Sequence, residues 1–151
     1  MNLPRALAAT LAIAAACTVP GPSRPTPSTT ITIPALRCAL DVPVGTEVRL
    51  TDDGATFTTR PLARYSRPFS VRADPPADPG AQRRSLASDV SVTYTVQTDS
   101  GGSGGDEAVL SGALQVGART FAVSCHDQGE WPGPDPTWCF AWLATIRADP
   151  A

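Results

Sequence analysis

Apolar and polar residues alternate in short stretches along most of the chain, and no segment keeps a helical spacing over three turns. Ile31 and Ile33 alternate with threonines up to Pro34, and Leu36, Cys38, Leu40, Val42 and Val44 share one parity. Pro43 interrupts that second run and predicts an edge strand, because proline has no N–H for a ladder. Val48 and Leu50 precede Asp52-Asp53-Gly54, a hairpin signal, with Phe57 on the returning strand. Pro68-Phe69-Ser70-Val71 reads as another short strand, and residues 73–84, rich in proline, read as a loop. The cleanest alternation runs from Ser88 to Thr98, with Val90, Val92, Tyr94 and Val96 inward. Val109 to Val116 and Arg119 to Cys125 flank Gly117-Ala118, a tight hairpin, and 99–106 reads as a glycine-rich loop. After a Pro- and Gly-rich loop over 126–137, Trp138 to Arg147 reads as a last apolar strand with Trp138, Phe140, Trp142 and Ile146 on one face. Seven to eight short strands at this spacing predict an all-β fold, an antiparallel β-sandwich or barrel.

The N-terminal stretch follows a different logic. Ala6 to Cys17 is apolar except for Thr10 and follows a single arginine, Arg5. It is shorter than the ~20 residues a spanning helix needs, and it ends in small residues, which is the anatomy of a secretory signal peptide. Ile13-Ala14-Ala15-Ala16-Cys17 resembles the lipobox of bacterial lipoproteins, departing from it at Ala14, where that family usually has Leu. The resemblance covers the first 17 residues and implies a diacylglyceryl group on Cys17 and a membrane partner reached through it. An ordinary Ala-X-Ala site would cut the same bond without lipid and leave a secreted domain. Residues 18–30 hold four prolines and no apolar pattern, as expected of an extended tether. The expected organisation is therefore a signal peptide over 1–16, a lipidated cysteine and tether over 17–30, and one all-β domain over 31–151.

Composition narrows the partners. The formal net charge is −2, which argues against a nucleic-acid backbone as ligand. All twelve basic residues are arginine, so lysine Schiff-base chemistry is excluded. Four cysteines, at 17, 38, 125 and 139, sit in a chain expected to be exported, where disulfides are permitted. Cys125 with Cys139 would close a loop of 13 residues and stabilise the fold by roughly 3 kcal/mol. Cys38 with Cys125 competes, since both fall on the apolar phase of their strands.

Three places could carry chemistry. Gly101-Gly102-Ser103-Gly104-Gly105 matches Gly-X-Ser-X-Gly formally, but no helix follows to hold the serine as a nucleophile elbow does. Asp99, Asp106 and Glu107 flank the same loop without the spacing of a calcium loop. Cys125-His126-Asp127-Gln128-Gly129-Glu130-Trp131 gathers the only histidine, two carboxylates and an aromatic residue. His126, Asp127, Glu130 and Trp131 are thus the candidate binding loop, with Trp131 as a rigid contact and prolines behind it. A zinc or general-base reading of His126, Asp127 and Glu130 lacks a third or fourth ligand, so neither a metal nor a cofactor is expected. The sequence predicts a non-enzymatic, lipid-anchored envelope protein that presents loops to an unassigned protein or small-molecule ligand, with a metal-binding protein or hydrolase as the alternative.

Overall fold

The computed structural model describes residues 26–59, 67–100, 105–129 and 133–149. Within them the chain is an all-β sandwich of ten strands in two antiparallel sheets, with one short helix. β1 (Ser28–Ile33), β2 (Cys38–Pro43) and the two-residue β10 (Arg147–Ala148) form the smaller sheet, in the order β1-β2-β10. The larger sheet has seven strands: β3 (Glu47–Thr51), β4 (Gly54–Thr59), β5 (Arg67–Arg72), β6 (Gln82–Ala87), β7 (Val90–Ser100), β8 (Asp106–Val116) and β9 (Arg119–Gly129). Their order is β3-β4-β5-β9-β8-β7-β6. The hairpins at Asp52-Asp53 and Gly117-Ala118 are present, the latter with Gly117 at φ 56°.

The core fills the space between the sheets. Ile33, Leu40 and Val42 from the small sheet meet Phe57, Phe69, Val92, Leu110 and Leu114 from the large one, all essentially without solvent contact. Phe57 and Phe69 are direct cross-strand partners, and their rings stack with centroids 4.6 Å apart. Asp41 closes the small sheet from outside: it accepts the Thr30 hydroxyl at 2.6 Å and Arg147 Nη2 at 3.2 Å. The Thr30 hydrogen bond, aided by Arg147, holds its carboxyl below the usual range. Arg119 spans to the turn after β1, donating to the carbonyls of Leu36 and Arg37 while its guanidinium lies over the Phe121 ring.

Three expectations need correction. β2 is the middle strand of its sheet, although it carries Pro43. β10 reaches only Ala39 and Cys38, so on that side Pro43 faces no strand that needs its missing N–H. β6 lies partly within the stretch read as a loop, as an edge strand with a bulge between Ser85 and Ala87.

The third correction matters most for the site. Trp138–Arg147 is not a strand: Pro136–Cys139 is a 3-10 turn that runs into α1 (Phe140–Leu143). Asp135 caps it, accepting the Thr137 N–H at 2.9 Å, and Pro136 follows at the first helical position. Pro136, Cys139, Phe140, Leu143 and Ile146 are the buried residues. Their spacing of three and four is the helical stripe that the strand reading missed.

Close approach of β7 and β8 fixes Gly112. A Cβ at Gly112 would collide with the Thr93 carbonyl oxygen and stand 2.8 Å from Tyr94 Cα. We expect Gly112→Ala to cost about 1–3 kcal/mol in urea denaturation, as overpacking does. A variant of unchanged midpoint would show that β7 and β8 are not held this closely.

Candidate functional site

β9 carries the candidate residues, and strand geometry separates them. Side chains alternate between faces, so neighbours along a strand cannot converge on one ligand. Phe121, Val123, Cys125 and Asp127 point into the sandwich, whereas Ala122, Ser124, His126 and Gln128 point to the open face. His126 and Asp127 are therefore on β9, not in a loop, and on opposite sides of the sheet. Glu130 and Trp131 lie outside the described residues, as do Cys17 and Ser103.

The inward residues grip the C-terminal segment. Cys125 and Cys139 are joined with Sγ atoms 2.06 Å apart, and Cys38 is a buried thiol. Asp127 is only 3% exposed, and every partner it uses comes from another part of the chain. Its carboxylate accepts Arg67 Nε at 2.8 Å and the Asp135 N–H at 2.8 Å. Trp138 completes the clamp: its indole N–H donates to the His126 carbonyl at 2.9 Å, and its ring meets the edge of Phe69 at 5.8 Å. Arg67 in turn lies 5.9 Å from the Trp138 ring centre. The Asp127 carboxylate thus has its oxygens taken up by structural donors, and its role is architectural. Arg67 is its counter-ion.

The outward side has a different character. His126 Nδ1 lies 3.2 Å from Glu107 Oε1, with both side chains about 40% exposed. Among the described residues no third His, Cys, Asp or Glu joins a cluster that could hold a metal ion. Next to this pair a row of hydroxyls crosses the sheet in direct register: Thr56 with Ser70, Ser70 with Ser124, Ser124 with Ser111, and Ser111 with Thr95. Thr56, Ser70, Ser124 and His126 line an open depression of about 390 Å³ whose far wall is Arg72. None of the outward-facing residues of β7, β8 and β9 is fully buried, so the middle of the large sheet is uncovered on this side.

Residues 39–147 match the family model described as Tsi3: Type six secretion immunity 3 domain. The chain belongs to that family. The match starts in β2 and ends in β10, so it takes in the whole seven-stranded sheet. A curated relative, "Immune protein Tsi3" of Pseudomonas aeruginosa, is 36% identical over 107 residues, covering 70% of this chain and 72% of the relative.

Membership of the immunity family corrects the reading made from sequence. The lipobox resemblance of residues 1–17 had left residues 31–151 without a family, and the match over 39–147 supplies one. A lipid-anchored envelope module, with a metal-binding protein or hydrolase as the alternative, gives way to a secretion immunity domain. The same finding displaces the expected partners, a membrane reached through lipid on Cys17 and an unassigned ligand. The opposed directions of His126 and Asp127 remove the physical basis for their joint chemistry. Sequence reasoning missed Glu107 as the partner of His126 and missed the hydroxyl row altogether. Glu107 falls outside the strand read from Val109 to Val116, and only register across five strands brings the hydroxyls together.

Two outcomes test this division of β9. Asp127→Ala strands a half-exposed arginine and the Asp135 N–H, and is expected to cost about 2–3 kcal/mol by thermal denaturation. His126→Ala removes only an exposed contact and should stay within about 0.5 kcal/mol of the parent. Equal losses would contradict the split between a structural and an open face. Burial pushes the Cys38 thiol up to about 11, with Arg119 opposing it and Asp149 adding to it. At pH 8 Cys38 is therefore protonated and enclosed, and peptide mapping should find it unalkylated by iodoacetamide until the protein is unfolded. The same unreduced digest should hold Cys125 and Cys139 in one linked peptide.

Proposed function

We propose that this chain is an immunity protein that is exported from the cytoplasm and there binds a toxin delivered by type VI secretion, blocking its action. Family membership over residues 39–147 carries the reading, and the similarity to the immune protein of Pseudomonas aeruginosa supports it. An inhibitor of this kind acts by stoichiometric binding, so it requires a shaped, rigid surface and no catalytic groups. Ten paired strands provide such a surface with little ordering cost on association. Export draws on the signal-peptide character of Ala6 to Cys17 and on the joined Cys125 and Cys139, a pairing suited to an oxidising compartment.

Co-expression tests the proposal. Each type VI effector of the bacterium that carries this chain is produced, with an export signal, in a sensitive host alongside the protein. One effector should become non-lethal in the presence of the full chain and should co-purify with it in a 1:1 complex. Removal of residues 1–16 should abolish protection while leaving binding in vitro intact. Lethality unchanged for every effector would overturn the function, and full protection by the shortened chain would overturn the site of action.

A further inference from the structure

The immunity reading does not say which surface meets the toxin. We propose that the uncovered outer face of the seven-stranded sheet is that surface, and that it docks a toxin face whose charges are arranged opposite to its own. This rests on the immunity reading and goes beyond it by naming the interface.

Cross-strand register places charges at two ends of this face and a mixed pair, Arg49 and Glu47, at its β3 edge. At one end Arg72, Ala122, Ala113, Thr93 and Arg83 are successive partners across five strands. Arg49 caps the hydroxyl row on β3, opposite Thr56, with Glu47 two residues away opposite Thr58. At the other end Gln128, Glu107 and Asp99 are successive partners. Ala113 and Glu107 are six residues apart on β8, so the row that ends in Arg72 and Arg83 lies about 20 Å from the row of Glu107 and Asp99. Between them lies the row of serines and threonines from Thr56 to Thr95.

Two features of this arrangement fit a bound protein better than bare solvent. Glu107 and Asp99 are direct cross-strand partners, and like charges in that position oppose each other. Among the described residues Glu107 has one polar side-chain partner, His126, at 3.2 Å. At the opposite end Arg72 has, among the described residues, one loose ion pair, 4.0 Å from an Asp53 that is itself half exposed. Both ends therefore hold charge that a complementary partner would neutralise: acidic groups over Arg72 and Arg83, basic groups over Glu107 and Asp99. Such a dipolar surface fixes the orientation of its partner as well as attracting it.

Size agrees with a protein occupant. β7, β8 and β9 are eleven residues long, about 36 Å, and seven strands spread over about 29 Å. Allowing for the shorter outer strands, the face offers about 800 Å², close to one side of a standard protein interface. A small molecule would use only the depression between Arg72 and His126.

The test uses the full chain and the effector whose lethality it relieves. Ser111→Arg places a bulky charge on an exposed site of β8 within the hydroxyl row. It should weaken binding at least 100-fold by titration calorimetry while leaving the melting temperature unchanged. Arg72→Glu should weaken binding about 10-fold and flatten its salt dependence. Val44→Arg, on an exposed turn outside the sheet, should bind as the parent does. Should Ser111→Arg fail to fold, Arg72→Glu and Glu107→Lys decide alone, because both sites are exposed. Parental affinity in the sheet variants would overturn the docking face and leave the immunity function standing. A parental protein that protects against no effector would sink both. If sedimentation shows a dimer of this chain that Ser111→Arg disperses without changing toxin affinity, the face belongs to self-association and the proposal fails.

Discussion

One buried carboxylate sets the architecture. Asp127 sits inside the sandwich at the end of β9 and ties β5, through Arg67, to the start of the C-terminal helical segment, through the Asp135 N–H. A buried charge is costly unless it is paired and hydrogen-bonded, and here the compensation draws together parts of the chain far apart in sequence. Cys125, two residues earlier on the same face, is joined to Cys139, and the Trp138 indole closes on the His126 carbonyl between them. Three different interactions thus act within three residues of one strand. With its polar end held at Asp135, the segment can place Phe140, Leu143 and Ile146 over the core.

That anchoring also explains why the opposite face of β9 is free to do something else. Period-two alternation assigns Cys125 and Asp127 to the interior and leaves Ser124 and His126 outside. All structural demands on the strand are met on one side, so the outward residues are not needed to hold it. His126 pairs with Glu107 across one strand spacing and with no inward group, which separates recognition from architecture at the level of single residues.

Much of the fold was legible in the sequence because its signals are local. The Val90 to Val96 alternation, the Asp52-Asp53 and Gly117-Ala118 turns, and the fold class all follow from period two and turn chemistry. The C-terminal segment was misread because Trp138, Phe140 and Trp142 satisfy period two by accident of composition. Asp135-Pro136, a helix start, and the 136, 139, 140, 143 stripe were present but short. The candidate loop was misjudged for a related reason: β9 continues through His126 and Asp127 to Gly129, beyond where its apolar pattern ends. A buried aspartate looks polar in a sequence, and only its arginine 60 residues away reveals that it belongs inside. The hydroxyl row was invisible because it has no periodicity in any one strand and exists only across the register of five.

A wide uncovered sheet face poses a physical problem, and the residues on it suggest how it is solved. Large apolar side chains here would invite non-specific association. Serine and threonine hydroxyls instead keep the face hydrated while the protein is alone. The same small side chains lose little rotamer freedom when a partner covers them, unlike lysine or glutamine. Their hydroxyls both donate and accept, so they can satisfy whichever polar group meets them. Specificity then falls to the few long side chains at the ends, Arg72, Arg83, Glu107 and Asp99. These sit where a mismatched partner would bring like charges together. A surface built in this way stays soluble before it meets its target and discriminates when it does.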